Sequence, residues 1–261
     1  MNPSFLPKRL FVNVRSHFGS AFALLLLLAA TPVQAHWPNT NATKWVQLPD
    51  VSTNGIDVLA AWLPGAAGNK PLVLADDFLC RQTGPVTDIH IWASWLGDSN
   101  NCNMPITLCI WSDVPAITHP PARPSHPGSI LWCQTFNPGQ YTVQPWKSAN
   151  ERFWNPDPLP CGQILGVDHL IWQYNFYPSP ANTFVQQGTP TQPVVYWLSM
   201  TAGFNTQFFG WKTANRHWND DAVFGHLDSA GVPDGIWEEL RDPRAPTACP
   251  ARVEAWTWPL P

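Results

Sequence analysis

The chain has 261 residues, of which 44% are hydrophobic and 12% charged, a formal net charge of −4 at pH 7, and 16 tryptophans and 29 prolines. This composition is too apolar for a disordered chain, and its acidic balance argues against binding to nucleic acid or to an anionic membrane surface. The prolines argue against long helices, because each one removes a backbone amide donor.

The first 35 residues have the pattern of an export signal. Basic residues precede the apolar run 21–30, and small residues lead to Ala35, so we expect cleavage before His36. The run has about half of the roughly 20 residues that a spanning helix needs, which disfavours the alternative of an uncleaved anchor. We therefore predict a secreted or cell-surface protein with no transmembrane segment after cleavage, and one domain over 36–261.

Short apolar or alternating segments, separated by turn signals, predict strands throughout the mature chain. The predicted strands are 44–48, 56–63, 72–78, 86–96, 106–111, 129–136, 140–146, 168–177, 194–201, 208–213, 222–225, 236–240 and 252–258. The clearest is 86–96, whose period of two is typical of a strand with one buried face. Segment 114–128 is rich in proline and is predicted to be an exposed loop, and 151–161 is proline-rich as well.

The order of these elements predicts the fold class. About a dozen short strands with no amphipathic helix between them favour an all-β, jelly-roll-like sandwich with long proline-rich loops. No repeat of fixed period is present, which disfavours a propeller.

Six cysteines follow the cleavage position, and an even number in an exported protein indicates disulfides. Six cysteines allow 15 pairings, and the sequence does not choose among them. We favour Cys109 with Cys133, because both lie in predicted strands that can be neighbours. The alternative for some of the six is a buried thiol.

Tryptophan beside polar residues is the strongest functional signal. Trp92 and Trp111 fall on the polar faces of their strands, and the segment 208–225 mixes aromatic with polar side chains more densely than any other. An exposed indole can stack on a sugar ring while neighbouring polar groups bond to hydroxyls. The alternative is that these rings are buried. The candidate ligand-binding residues are Trp92, Trp111, Trp211, Lys212, Arg216, Trp218, Asn219 and Asp221.

Adjacent acidic pairs are the second signal. Neighbouring residues of a strand point to opposite faces, so such a pair cannot supply both carboxylates of a glycosidase. Carboxylate oxygens suit calcium, for which Asp76, Asp77 and Asp220 are the candidate ligands. The alternative is that these side chains bond to amides in turns. No other cofactor is predicted, and the sequence contains no HExxH or GxSxG motif.

Several long motifs resemble those of a family of secreted bacterial proteins of unknown function. The motifs are LADDFLC (74–80), GPVTDIHIWASW (84–95), IWQYNF (171–176), VYWLSM (195–200), FGWKT…HWNDDAVF (209–224) and a WxELR-like element (237–241). The resemblance covers roughly 44–243 and implies an exported domain, of a kind often anchored or displayed at the cell surface. It implies no activity and no catalytic residues.

Together these observations favour a secreted non-catalytic module that binds extracellular glycan or matrix through exposed aromatic side chains. A structural or adhesive protein of the cell envelope, whose ligand is another protein, is the first alternative. The second alternative is a hydrolase with an unrecognised acid-based site, which requires two acids, or an acid and a histidine, to converge in a cleft.

Overall fold

The computed structural model describes residues 44–62, 71–99, 103–157, 162–204, 207–216, 218–228 and 230–241. These residues belong to one compact unit and form fourteen strands and two one-turn 3-10 helices, Leu96–Asp98 and Pro180–Asn182. Within these ranges, no helix has the length and apolar character needed to cross a bilayer. The expected signal 1–35 and the predicted strand 252–258 lie outside the described residues.

Five strands close into a small barrel, which we call the closed sheet. In order around it they are β1 (Ile56–Leu59), β12 (Phe209–Lys212), β5 (Ile89–Trp95), β9 (Gln163–Phe176) and β8 (Tyr141–Asn155). Strand β1 completes the ring, because it pairs antiparallel with β12 and parallel with β8. Register shifts in the long β8–β9 hairpin provide the irregularities at which strands bend.

The remaining long strands form the open sheet. Its order is β14 (Pro233–Glu239), β13 (Val223–Leu227), β3 (Leu72–Cys80), β11 (Val194–Phe204), β6 (Ile106–Val114) and β7 (His126–Phe136), with β2 (Ala61–Trp62) beside β11. Two short strands, β4 (Gly84–Pro85) and β10 (Val185–Gln186), pair separately.

The main core lies where the two sheets pack against each other. Trp95, Tyr174 and Phe209 of the closed sheet share one buried cluster with Leu74 and Met200 of the open sheet. The strand alternation read from the sequence explains this packing, because each strand turns every second side chain toward the other sheet. The predicted class, an all-β domain with packed sheets, is confirmed, and one of its sheets closes on itself.

The open sheet buries its other face as well, in what we call the second core. Its edge strands β14 and β7 contact each other, so the sheet curls around Trp111 and Trp197. The disulfide Cys109–Cys133 joins directly opposed residues of β6 and β7, with Cα atoms 4.1 Å apart, which confirms the predicted pair. Cys80 is a buried thiol.

Several predicted boundaries differ from the structure. Strand β8 continues to Asn155, so the proline-rich stretch 151–161 begins as a strand. Strand β7 begins at His126, inside the predicted loop 114–128, because an edge strand tolerates the proline that follows. Segment 44–48 is not a strand, and the residue that follows it, Pro49, forms an isolated bridge with Ala214.

The expected exposure of four candidate binding residues is wrong. Trp92 and Trp211 are 0% exposed, Trp111 is 4% exposed and Lys212 is 0% exposed. Trp211 packs in the main core and Trp111 in the second core, whereas Trp92 and Lys212 are covered inside the closed sheet. The polar strand faces that predicted exposure are covered by strands distant in sequence.

Candidate functional site

Four charged side chains meet inside the closed sheet, and we call them the inner cluster. Asp57 on β1 lies directly opposite Lys212 on β12, and Glu151 on β8 lies opposite Asp168 on β9. Each pair shares a face because directly opposed residues of antiparallel strands project to the same side. All four side chains are buried.

The contacts within the inner cluster centre on one ammonium group. Lys212 Nζ donates to Asp57 Oδ2 at 3.2 Å and is in direct contact with Glu151 Oε2. Carboxylate oxygens of Asp57, Glu151 and Asp168 lie within 4.8 Å of one another, a spacing that could hold a metal ion. Lys212 already supplies a positive charge at this position.

Burial shifts the protonation of the inner cluster. Burial, with the Asp57 charge as the next cause, raises the pKa of Glu151 to about 8 and that of Asp168 to about 9, against the opposing Lys212 charge. Burial alone would lower the pKa of Lys212, but the Asp57 charge raises it. At neutral pH, Glu151 and Asp168 therefore hold protons.

The space around the inner cluster is closely filled. A Cβ atom added to Gly210 would lie 2.7 Å from the Phe153 ring and 3.1 Å from Asp57 Cβ, so glycine lets that ring cover the cluster. Three acids therefore converge, which meets one requirement of the hydrolase hypothesis, but all three are buried. A polysaccharide cannot reach carboxyls with no exposed surface.

A second polar group lies at the edge of the second core, and we call it the rim cluster: Asp77, Asp113, Asn219 and Asp220. The Asn219 amide donates to Asp77 Oδ2 at 2.6 Å and to Asp220 Oδ2 at 2.7 Å. The backbone amide of Asp220 also donates to Asp77. These bonds fix the loop before β13 onto the open sheet, and Asn219 adopts φ 50°, a left-handed conformation that asparagine tolerates.

The Trp197 indole holds one carboxyl group of the rim cluster, that of Asp113. Asp77 lies opposite Trp197 in the β3–β11 pairing, and Trp197 Nε1 donates to Asp113 Oδ1 at 2.8 Å. Burial, together with the Asp220 and Asp113 charges, raises the pKa of Asp77 to about 8, against the lowering effect of the Asn219 hydrogen bond. Burial also raises the pKa of Asp113.

The structure brings together only some of the predicted site residues. Of the three calcium candidates, Asp77 and Asp220 meet through Asn219, whereas Asp76 points to the main-core face beside Leu198. The ring of half-buried Trp218 stands edge-on to Trp45, with centroids 4.8 Å apart. Arg216 is exposed and Asp221 is half-buried.

Sequence reasoning missed Asp57, Asp113, Glu151 and Asp168. Asp57 carried a usable signal, since an acid inside the apolar run IDVL needs a charged or hydrogen-bonding partner if it is buried. Glu151 carried none, because it stands in a stretch whose prolines suggested a loop. The partners come from strands up to 155 positions apart, as in the bond from Lys212 to Asp57.

Comparison with known proteins places the chain in a family to which no activity is assigned. A family model described as "Domain of unknown function (DUF7901)" matches residues 43–254. No curated protein matches the chain. A solved structure titled "AvmM Catalyzes Macrocyclization in Alchivemycin A Biosynthesis" is similar over 74% of this chain and 80% of that chain, with 12% identity and a TM-score of 0.24. A likeness at that level supports no argument about this chain.

Proposed function

The chain belongs to this family of domains of unknown function, and we propose that it is a secreted, non-catalytic module that binds extracellular glycan beside the rim cluster. The observation that carries the proposal is an exposed amide held between two carboxyl groups, immediately after a half-buried indole. Carboxylates, amides and one aromatic face are the groups that recognise the hydroxyls and the apolar face of a sugar ring.

The proposed binding residues are presented on a supported loop. Trp218 and Asn219 are consecutive, so their Cα atoms are about 3.8 Å apart. Trp45 supports the edge of the Trp218 ring, and Asp77 anchors Asn219. Asp113 and Asp220 are half-buried and retain surface for a ligand. A site whose side chains are already ordered loses less entropy when it binds.

The same geometry favours binding over catalysis. Asp77 has the raised pKa expected of a general acid, but the side chain is fully buried and bonded to Asn219. Its proton cannot reach a ligand while Asn219 stays in place. Asp113 is fixed by the Trp197 indole, which donates a hydrogen bond and offers no basic group.

Two observations support the secreted part of the proposal. Residues 1–35 carry the export pattern, and Cys109 is joined to Cys133 by a disulfide, a bond typical of oxidising compartments. The residues of the export pattern lie outside those described.

The test is retention of the purified protein on a panel of soluble and insoluble polysaccharides, followed by calorimetry on any that bind. We expect Trp218→Ala to weaken binding about tenfold, since one lost aromatic stack is worth about 1.4 kcal/mol or less. Asn219→Ala should weaken it as well, because it removes the exposed amide.

Tyr177→Ala is the matched control. Tyr177 is also an aromatic residue with exposed surface, but it follows β9 of the closed sheet, so its removal should leave retention unchanged. Absence of retention on every polysaccharide, or equal binding by wild type and Trp218→Ala, would remove the proposal.

A further inference from the structure

The inner cluster holds an amine and a carboxyl group in direct contact. Lys212 Nζ touches the Glu151 carboxyl, and both side chains are 0% exposed. The third partner, Asp57, accepts a hydrogen bond from the same Nζ at 3.2 Å. The chain thus places a nucleophile, an electrophilic carbon and a proton acceptor together.

We propose that Lys212 and Glu151 form an intramolecular amide bond between Nζ and Cδ, which is a covalent cross-link inside the closed sheet. This modification is independent of the glycan-binding proposal, because the two sites share no residue.

The reaction balances with the groups present. Asp57 Oδ2 takes one proton from the Lys212 ammonium and leaves a neutral amine. The Nζ electron pair attacks Cδ of the protonated Glu151 carboxyl, and the Glu151 hydroxyl leaves with a second Nζ proton as water. The products are one amide, one water and a neutral Asp57 acid, so the ammonium and carboxylate charges disappear together.

Three features of the site favour the amide. Groups held in contact reach effective molarities on the order of 10⁵ M or more, which offsets the unfavourable bimolecular reaction. The buried ion pair costs several kcal/mol per ion in lost hydration, and the reaction removes both charges. The raised pKa of Glu151 keeps its carboxyl neutral and electrophilic at neutral pH, with burial as the main cause.

The position of the bond gives it a structural role. Lys212 is on β12 and Glu151 is on β8, and β1 lies between these two strands. The amide therefore spans the short strand that completes the ring. Opening the closed sheet at β1 would then require breaking this covalent bond as well as hydrogen bonds.

Intact-mass spectrometry of the folded full-length protein, after reduction of its disulfides, tests the proposal directly. We expect a mass one water molecule lower than that calculated for the purified chain, whether or not residues 1–35 have been removed. Trypsin cannot cleave after an acylated lysine, so peptide 148–152 should remain bound to fragment 153–216, and fragment ions should join Glu151 to Lys212.

Lys212→Arg keeps a positive charge but cannot form the amide, so it should restore the full sequence mass and release peptide 148–152. Lys147→Arg is the matched control on β8 and should keep the deficit, because Lys147 lies over the exposed side of Trp146. Asp57→Asn should reduce the cross-linked fraction at least tenfold, since it removes the proton acceptor.

The mass of the wild-type protein shows whether the cross-link forms, even if a variant does not fold. A folded wild-type protein with the full sequence mass would overturn the proposal. A deficit that persists in Lys212→Arg, or fragment ions that join Lys212 to Asp57 instead, would overturn the assigned bond.

Discussion

Asp168 shows how burial changes the chemistry of a single residue. Its carboxyl has no exposed surface, and burial together with the Asp57 charge raises its pKa to about 9. Asp77 in the rim cluster has a pKa of about 8 for the same main reason. In the unfolded chain an aspartate has a pKa of about 3.9, so folding makes both carboxyls bind protons.

This proton uptake predicts that stability falls as pH rises. The stabilisation from Asp168 is fully present below the unfolded pKa and is lost as pH rises through about 9. Between pH 5 and pH 8, the free energy of unfolding should fall by on the order of 1 kcal/mol per pH unit for each such carboxyl. Asp168→Asn should flatten the curve, which urea denaturation at several pH values measures.

Glu238→Gln is the control for this experiment, because Glu238 is an exposed acid on edge strand β14. It should leave the slope of the wild type unchanged. A curve for Asp168→Asn that runs parallel to that of the wild type would contradict the assigned protonation. The window excludes the region near pH 4, where the lowered pKa values of Asp88 and Asp98 give an opposite trend.

At the scale of elements, the β6–β7 hairpin holds the edge of the open sheet. Cys109 and Cys133 face each other within it, and Thr107 and Thr135 form a second opposed pair with hydroxyl oxygens 2.8 Å apart. Strand β7 has a neighbour in the sheet only on one side, so these cross-strand links hold it in place beside the second core.

Removal of the disulfide should therefore destabilise the fold measurably. The two cysteines are 24 positions apart, and a disulfide that closes such a loop lowers the conformational entropy of the unfolded chain. This effect adds about 3 kcal/mol to the free energy of unfolding. Cys109→Ser combined with Cys133→Ser should lower the free energy of unfolding by about that amount in urea denaturation. Thr107→Ala with Thr135→Ala, on the same hairpin, should cost less than about 1 kcal/mol. Equal losses for the two double variants would argue against a special role for the disulfide.

At the scale of the whole molecule, the two sheets depend on one core. Trp95 of the closed sheet and Met200 of the open sheet belong to the same buried cluster. Neither sheet can lose its partner without exposing large aromatic side chains to water. The described part of the chain should therefore unfold as one cooperative unit.

Two spectroscopic probes can check this cooperativity. Tryptophan fluorescence reports the packing of both cores, and far-UV circular dichroism reports the strands. We expect their urea transitions to coincide, with one midpoint and one slope. Two separated transitions would mean that one sheet retains its structure without the other.

Local sequence patterns were enough to predict the strand faces and the disulfide of this protein. Alternation in β5 assigned Ile89, Ile91 and Trp95 to one face, and all three lie in the main core. Strand-like runs around Cys109 and Cys133 were enough to favour their pairing. Both features follow from residues close together in the sequence and from the two-residue alternation of side chains along a strand. Such local patterns can be read from the sequence without knowledge of the fold.

Contacts between strands distant in the sequence, and not local patterns, determine what covers the second face of each strand. Trp92, Trp111 and Lys212 stand on strand faces that the sequence marks as polar, and all three are buried because the sheets close or curl over them. The contact of Lys212 with Glu151 has the same origin, since the two residues come from strands separated by β1. Burial on both faces depends on sheet closure and curvature, which arise from long-range pairing and leave no periodic trace in the sequence.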